Sequence, residues 1–259
     1  MYDSLARDYD RFNNWANRLA AELPFIESEI AGLKIVGQSN VLDAACGTGM
    51  HAIALARHGM TCSGADLSPR MVAQARNNAR HAHQKVDFRV AGFGNLANVF
   101  LHQRYDVLLC LGNSLPHVLT ENDLAAALSD FAACLSPGGL LLIQSRNFDA
   151  VLARRDRFMP PETYSDPDHE WLFQRFYDFE PGGLIRFNMV RLKRRRDAEW
   201  HARVVSTLLY PQTQALVNNA LIRAGFVTIS CYGSMGGDPF DPRSSGNLVV
   251  SAHKASPGQ

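Results

Sequence analysis

Residues 15 to 32 alternate apolar and polar positions at helical spacing, and the stretch from Gly32 to Gly37 leads into a short apolar strand ending at Asp43. The pattern then runs helix, strand, helix: Met50 to Ala56, Met60 to Asp66, and a segment from Ser68 to Ala75 that opens on an N-cap serine followed by proline. Further strands are predicted at Val86 to Ala91, Tyr105 to Leu111 and Leu140 to Ser145, with an amphipathic helix from Glu121 to Leu135 between the last two. Strands alternating with helices predict a parallel sheet covered on both faces. Beyond residue 148 the periodicity changes. Glu170 to Phe179, Leu184 to Leu192 and Ala202 to Tyr210 are rich in β-formers, and Pro181-Gly-Gly183 reads as a hairpin turn, so 148 to 211 is expected to be an antiparallel insertion beside the main sheet. A helix from Pro211 to Ala224, stopped by Gly225, and strands at Phe226 to Tyr232 and Asn247 to Ala252 complete the chain.

With 259 residues, 46% of them hydrophobic, the chain can bury a sizeable core and reads as one α/β domain with an elaboration. A net charge of +1 gives no overall attraction to nucleic acid or an anionic membrane. The one basic run, Arg191 to Arg196, reads as a solvated strand end or hairpin tip, because no aromatic platform interleaves its charges. The cysteines at 46, 62, 110, 134 and 231 form no C-x-x-C pair, four lie in apolar segments, and they are expected to be small core residues in a reducing compartment. The N-terminus resembles neither a signal nor a transit peptide, and no apolar run approaches the roughly twenty residues of a membrane span. A cytoplasmic protein without a metal site is the expectation.

The most informative chemistry lies in Val41-Leu-Asp-Ala-Ala-Cys-Gly-Thr-Gly49. Gly47 and Gly49 permit a tight turn with close backbone approach, and the next helix presents its first amides there. With Ala52 the spacing satisfies the relaxed dinucleotide-binding pattern, which brings NAD into consideration. Asp43 argues against it: a carboxylate there adds negative charge beside a pyrophosphate but suits a ligand presenting an ammonium, such as S-adenosylmethionine (SAM). Asp66, about twenty residues beyond the glycines, would accept hydrogen bonds from ribose hydroxyls and keeps the NAD alternative open. The helix after it places Leu67 and Met71 near the adenine.

In order, Val41-Leu-Asp43, Gly47-Thr-Gly49, Asp66-Leu-Ser-Pro-Arg-Met71 and Ser136-Pro-Gly-Gly139 resemble the class I SAM-dependent methyltransferases through residues 40 to 145. The resemblance implies a Rossmann-like, mostly parallel seven-stranded sheet whose last two strands form an antiparallel edge. It also implies a cap and helix over 1–36, a cofactor core over 37–147, a substrate-side insertion over 148–211, and a final helix and strands over 212–254. Around the cofactor it adds Ala45 and Leu111, and it places His117 near the methionine or ribose end. The segment from Tyr2 to Trp15 resembles the family's short cap, whose aromatic faces stabilise a sulfonium and exclude water; Tyr9 is the preferred contact, with Tyr2 and Trp15 behind it. Arg18 would neutralise the methionine carboxylate. Where many members carry an acid after the third strand, this chain reads Val90-Ala-Gly-Phe-Gly94, leaving the backbone of Gly92 and Phe93 for the adenine.

Cys110-Leu-Gly-Asn-Ser-Leu-Pro-His117, Ser145-Arg-Asn-Phe-Asp149 and Tyr210-Pro211 are similar to segments of glycine N-methyltransferases and related small amino-acid N-methyltransferases. That resemblance makes Arg146 the partner of a substrate carboxylate, through two parallel hydrogen bonds, and Asn113 a polar contact to the same molecule. The competing reading of Arg146 is a salt bridge with Asp149. Tyr164 or Tyr210 would orient the amine. The Asn/Asp-Pro-Pro-Tyr element of base-modifying enzymes is absent, which disfavours a nucleic-acid substrate. The expected reaction is methyl transfer to the amine of a small carboxylate-bearing molecule, releasing S-adenosylhomocysteine. Two alternatives stay open at this point: O-methylation of a small carboxylate or hydroxyl metabolite, and a SAM-binding protein that methylates no external acceptor.

Overall fold

In the computed structural model the described residues are 10–256, apart from 12, 34, 36 and 102. A helix, α1 (Trp15–Ala31), precedes β1 (Asn40–Asp43), α2 (Met50–Arg57), β2 (Thr61–Asp66), α3 (Pro69–His81), β3 (Asp87–Val90), the short α4 (Leu96–Val99) and β4 (Tyr105–Cys110). A 3-10 turn (Leu115–His117), α5 (Glu121–Cys134), β5 (Leu135–Arg146) and α6 (Phe148–Arg154) follow. Next come four antiparallel strands, β6 (Glu162–Ser165), β7 (His169–Phe179), β8 (Ile185–Arg195) and β9 (His201–Leu209), then α7 (Gln214–Arg223), β10 (Phe226–Tyr232) and β11 (Asn247–Lys254). Helix starts are capped as their sequences dictate: the hydroxyls of Ser68 and Thr120 accept from the amides of Met71 and Asp123.

The main sheet has the order β10-β11-β5-β4-β1-β2-β3. β1 to β5 pair in parallel, while β11 runs antiparallel to both β5 and β10. Strand order reverses between β1 and β4, and the crevice beyond their carboxyl ends is where open α/β sheets bind ligands. Alternation along each strand sorts the core into two layers. Leu42, Leu108 and Leu141 pack with Phe131 and Leu128 of α5 on one face, whereas Val41, Val107, Leu109 and Leu142 pack with Ile26, Ile53 and Val72 of the first three helices on the other.

The antiparallel sheet, ordered β6-β7-β8-β9, stands after β5 as expected. Gly182 and Gly183 both take φ +89° in the β7–β8 hairpin, which a side chain there would resist. Three differences from the sequence reading have local causes. The 148–211 stretch begins with helix α6, because the buried Asn147 side chain accepts from the Ala150 amide and starts a helical turn. β5 begins at Leu135: Tyr105 pairs Leu135 and Val107 pairs Leu140, so Ser136 to Gly139 bulges out of the ladder. The basic run ends β8, and aromatic faces do meet it there: Arg194 stacks on Trp200 and Lys193 on Trp171. Among the described residues no helix is long and apolar enough to cross a membrane, and the five cysteines are free thiols.

Candidate active site

β1 delivers Asp43 to the crevice and the chain then turns sharply, with the Cys46 amide donating to the Ala65 carbonyl at 2.8 Å. Gly47 and Gly49 adopt φ +53° and +82°. Space as well as conformation demands glycine at 49: a Cβ there would lie 2.6 Å from Cζ of Phe88, and one on Gly64 would lie 2.7 Å from the same ring. Phe88 thus holds the glycine turn against β2. At the end of β2, Asp66 Oδ2 accepts from the Gly47 amide at 2.9 Å and Oδ1 from the Ser68 amide at 2.8 Å. Two backbone donors therefore fix the carboxylate that the sequence assigns to the ribose.

Asp43 is 2% exposed, and burial pushes its carboxyl up to about 6; His51, the Ala45 amide and Arg18 pull it down, and Asp66 pushes it further up. His51, the second residue of α2, reaches Glu22 of α1 at 2.6 Å, and Glu22 accepts from Arg18 Nε at 3.0 and 3.1 Å. Burial alone would raise the Glu22 carboxyl, but the His51 hydrogen bond and the Arg18 charge hold it below the usual range. The Arg18 guanidinium also lies 5.0 Å over Trp15, whose indole meets His51 edge-on. Asp10 ties this cap to the core, accepting from Trp15 Nε1 and from the Thr48 hydroxyl. A narrow space of about 20 Å³ lies between Trp15, Arg18, Asp43, His51 and Leu111. Tyr9 and Tyr2 lie outside the described residues.

The donor set suits SAM: a buried carboxylate for its ammonium, Arg18 for its carboxylate and Asp66 for its ribose diol. Leu67, 77% exposed, borders Gly92 and offers an apolar face for the adenine. Met71 is instead fully buried, and the Phe93 ring packs edge-on against Phe131 of α5.

Beside this socket a cavity of about 280 Å³ opens between the main sheet and the antiparallel sheet, lined by Arg18, Asn113, His117 and Arg146 among others. Asn113, at φ +63°, follows Gly112 in a turn that Gln144 clasps, its side chain accepting from Gly112 and its carbonyl from Asn113. Asn113 Oδ1 accepts from the Arg146 amide at 2.9 Å, and its Nδ2 meets no protein acceptor among the described residues. Arg146 makes no ion pair among the described residues. Asp149, its rival partner, accepts from the Gln214 amide at the start of α7. Burial pushes His117 down to about 4, so it is neutral at physiological pH.

The structure does not bring Tyr164 or Tyr210 to this cavity. Tyr164 sits on the edge strand β6 opposite Trp171 and packs on its ring, about 13 Å along β7 from Arg175. Tyr210 lies just past the end of β9, where its amide donates to the Pro116 carbonyl and its hydroxyl points at Glu121. Their place is taken by Tyr177 and Arg175 of β7, two residues that sequence reasoning missed. Burial raises the Tyr177 hydroxyl above its ordinary value against the opposing charges of Arg146 and Arg175. Period-two alternation groups Phe173, Arg175 and Tyr177 on one face, but nothing local says that this face meets the crevice. His51 and Glu22 were missed for the same reason.

Two other features carry no comparable chemistry. A larger groove of about 1220 Å³ lies at the amino-terminal ends of β1, β2 and β4, lined by Asn40, Thr61, Arg76 and Arg104, at the opposite end of the sheet from the glycine turn. Asp166, Asp168 and His169 cluster in an exposed turn, where Asp166 accepts from the other two amides and so shapes the turn itself.

Sheet order, glycine turn and paired acids define a class I SAM-dependent methyltransferase. A methyltransferase-domain family model matches residues 41–139. A glycine/sarcosine N-methyltransferase from Parasynechococcus marenigrum (strain WH8102) is 34% identical over 195 residues, covering 71% of this chain and 68% of that protein. The chain belongs to the class I SAM-dependent methyltransferases, as a relative of the glycine/sarcosine N-methyltransferases. Among solved structures, a SAM-dependent methyltransferase from Clostridium acetobutylicum superimposes with a TM-score of 0.78 at 16% identity, covering 98% of this chain and 99% of the other. A SAM-bound amino pentose methyltransferase from Micromonospora echinaspora gives 0.73 at 20% identity, covering 98% and 96%. These two share the fold.

Proposed function

We propose that this enzyme methylates the amine of a small, carboxylate-bearing molecule. The observation that carries the reading is Arg146: its guanidinium borders the cavity beside the cofactor socket without an acidic partner among the described residues, while Asp149 is engaged elsewhere. A fixed guanidinium fork grips a carboxylate in one orientation. Bound SAM supplies a methyl group on a sulfonium, already an activated leaving group. The protein's task is then to hold donor and acceptor in line in a dry site, which lowers the barrier by on the order of 7 kcal/mol. Asn113 Nδ2 offers a second donor to the carboxylate. The Tyr177 hydroxyl keeps its proton because burial raises it, and its oxygen lone pairs can accept from the amine and orient it. Neutral His117 adds a hydrogen-bonding wall without adding charge. The amine must arrive unprotonated, and its remaining proton leaves to solvent.

Tritium transfer from methyl-labelled SAM into a panel of amines, amino acids and acids tests this reading, with product analysis separating N-methyl from O-methyl products. Arg146→Ala should raise KM for a carboxylate-bearing acceptor by roughly 30-fold, the effect of about 2 kcal/mol, with little change for SAM. Equal effects on both would remove Arg146 from the substrate role.

A further inference from the structure

The antiparallel sheet gives the cavity a wall that glycine would not touch. β7, β8 and β9 turn one face inward, and its cross-strand pairs are Tyr177 with Phe187, Arg175 with Met189 and Ile185 with Leu209. Phe187, Met189 and Leu209, with Met159, border the same space as Arg146. Leu209 is anchored in an apolar cluster with Phe148, Tyr177 and Ile185, so the wall is a packed surface. The space, about 280 Å³, equals roughly nine water volumes.

Charge sets a second limit. Of the cations bordering the cavity, Arg18 is paired with Glu22 and Arg175 with Glu162, while His117 is held neutral by burial. Arg146 alone lacks a carboxylate partner among the described residues. The cavity thus balances one negative charge, and a second anionic group would enter uncompensated. We propose that the preferred acceptor is an amino acid with a single anionic group and a bulky apolar side chain, its carboxylate on Arg146 and its side chain against Met159, Phe187 and Met189, with Leu209 packed behind them. This rests on the amine-acceptor reading above and narrows it. The two methionines suit such a role, since unbranched thioethers adapt to irregular apolar shapes.

Initial-rate measurements on the full-length enzyme with labelled SAM would compare glycine, sarcosine, alanine, leucine, phenylalanine and glutamate. Leucine or phenylalanine should exceed glycine in kcat/KM by about tenfold or more, as burial of a large apolar side chain predicts. Met189→Trp, which fills the wall, should lower the phenylalanine-to-alanine ratio, with a thermal melt and SAM calorimetry reporting whether the variant is folded. Glycine or sarcosine matching every apolar amino acid would overturn this inference and leave the carboxylate-amine reading standing. Preference for glutamate over leucine would overturn the single-anion limit. Transfer to none of them by an enzyme that binds SAM would remove the amine-acceptor reading and this inference with it.

Discussion

Replacing Asp43 by Asn tests the electrostatic basis of the cofactor site. The side chain is buried at the end of β1, where its charge is costly: burial raises its carboxyl from 3.8 to about 6. Because the folded-state value lies above the ordinary one, the folded chain holds this proton longer. The contribution to stability is fully present below about pH 4 and falls by roughly 3 kcal/mol as pH rises through 6. The compensation we propose is a bound cation, the ammonium of SAM. An ammonium hydrogen-bonded to a buried carboxylate contributes about 1.5–3 kcal/mol, so Asp43→Asn should weaken SAM binding at pH 8 by roughly 10- to 100-fold without lowering the melting temperature of the free protein. In the unaltered enzyme SAM affinity should fall about tenfold between pH 8 and pH 5, as Asp43 takes up its proton. Isothermal titration calorimetry with SAM, S-adenosylhomocysteine and 5′-methylthioadenosine provides the readout, since the last has no amino-acid portion and should be indifferent to Asp43. The reasoning is refuted if Asp43→Asn binds SAM as tightly as the parent, or if methylthioadenosine loses as much affinity as SAM.

If Arg18 meets the methionine carboxylate as proposed, Arg18→Gln should weaken SAM by about tenfold and leave methylthioadenosine, which lacks that carboxylate, unchanged in the same titrations. Gly64→Ala drives a methyl group into Phe88 and should cost about 1–3 kcal/mol by urea denaturation. Adding Phe88→Leu should recover part of that cost, and strict additivity in the cycle would show that the clash is relieved elsewhere.

Local chemistry made the cofactor half of the site legible. Strand, carboxylate, paired glycines and a second acid lie within 26 residues, Val41 to Asp66, and the glycines are required by backbone geometry at their own positions. Gly47 and Gly49 do take positive φ, and Asp66 does sit on the turn's amide. The main sheet was legible for a related reason: its strands are short apolar runs separated by helices, and that alternation allows few topologies.

The acceptor half depended on contacts that periodicity does not encode. Sequence specifies which residues of β7 share a face, and so groups Arg175 with Tyr177, but the packing of the second sheet on the first decides that this face closes the cavity. Arg146 had two open readings until the start of α7, 65 residues beyond Asp149, proved to occupy that carboxylate. The same long-range placement put Tyr164 against Trp171 and Tyr210 against Glu121, and joined His51 to Glu22 across 29 residues. From its sequence alone the chain determined the glycine turn and the acid that precedes it, because glycine conformation and a strand-end carboxylate are properties of a few consecutive residues. Only the tertiary structure decided which side chains face the acceptor, because that follows from how two separately formed sheets pack together.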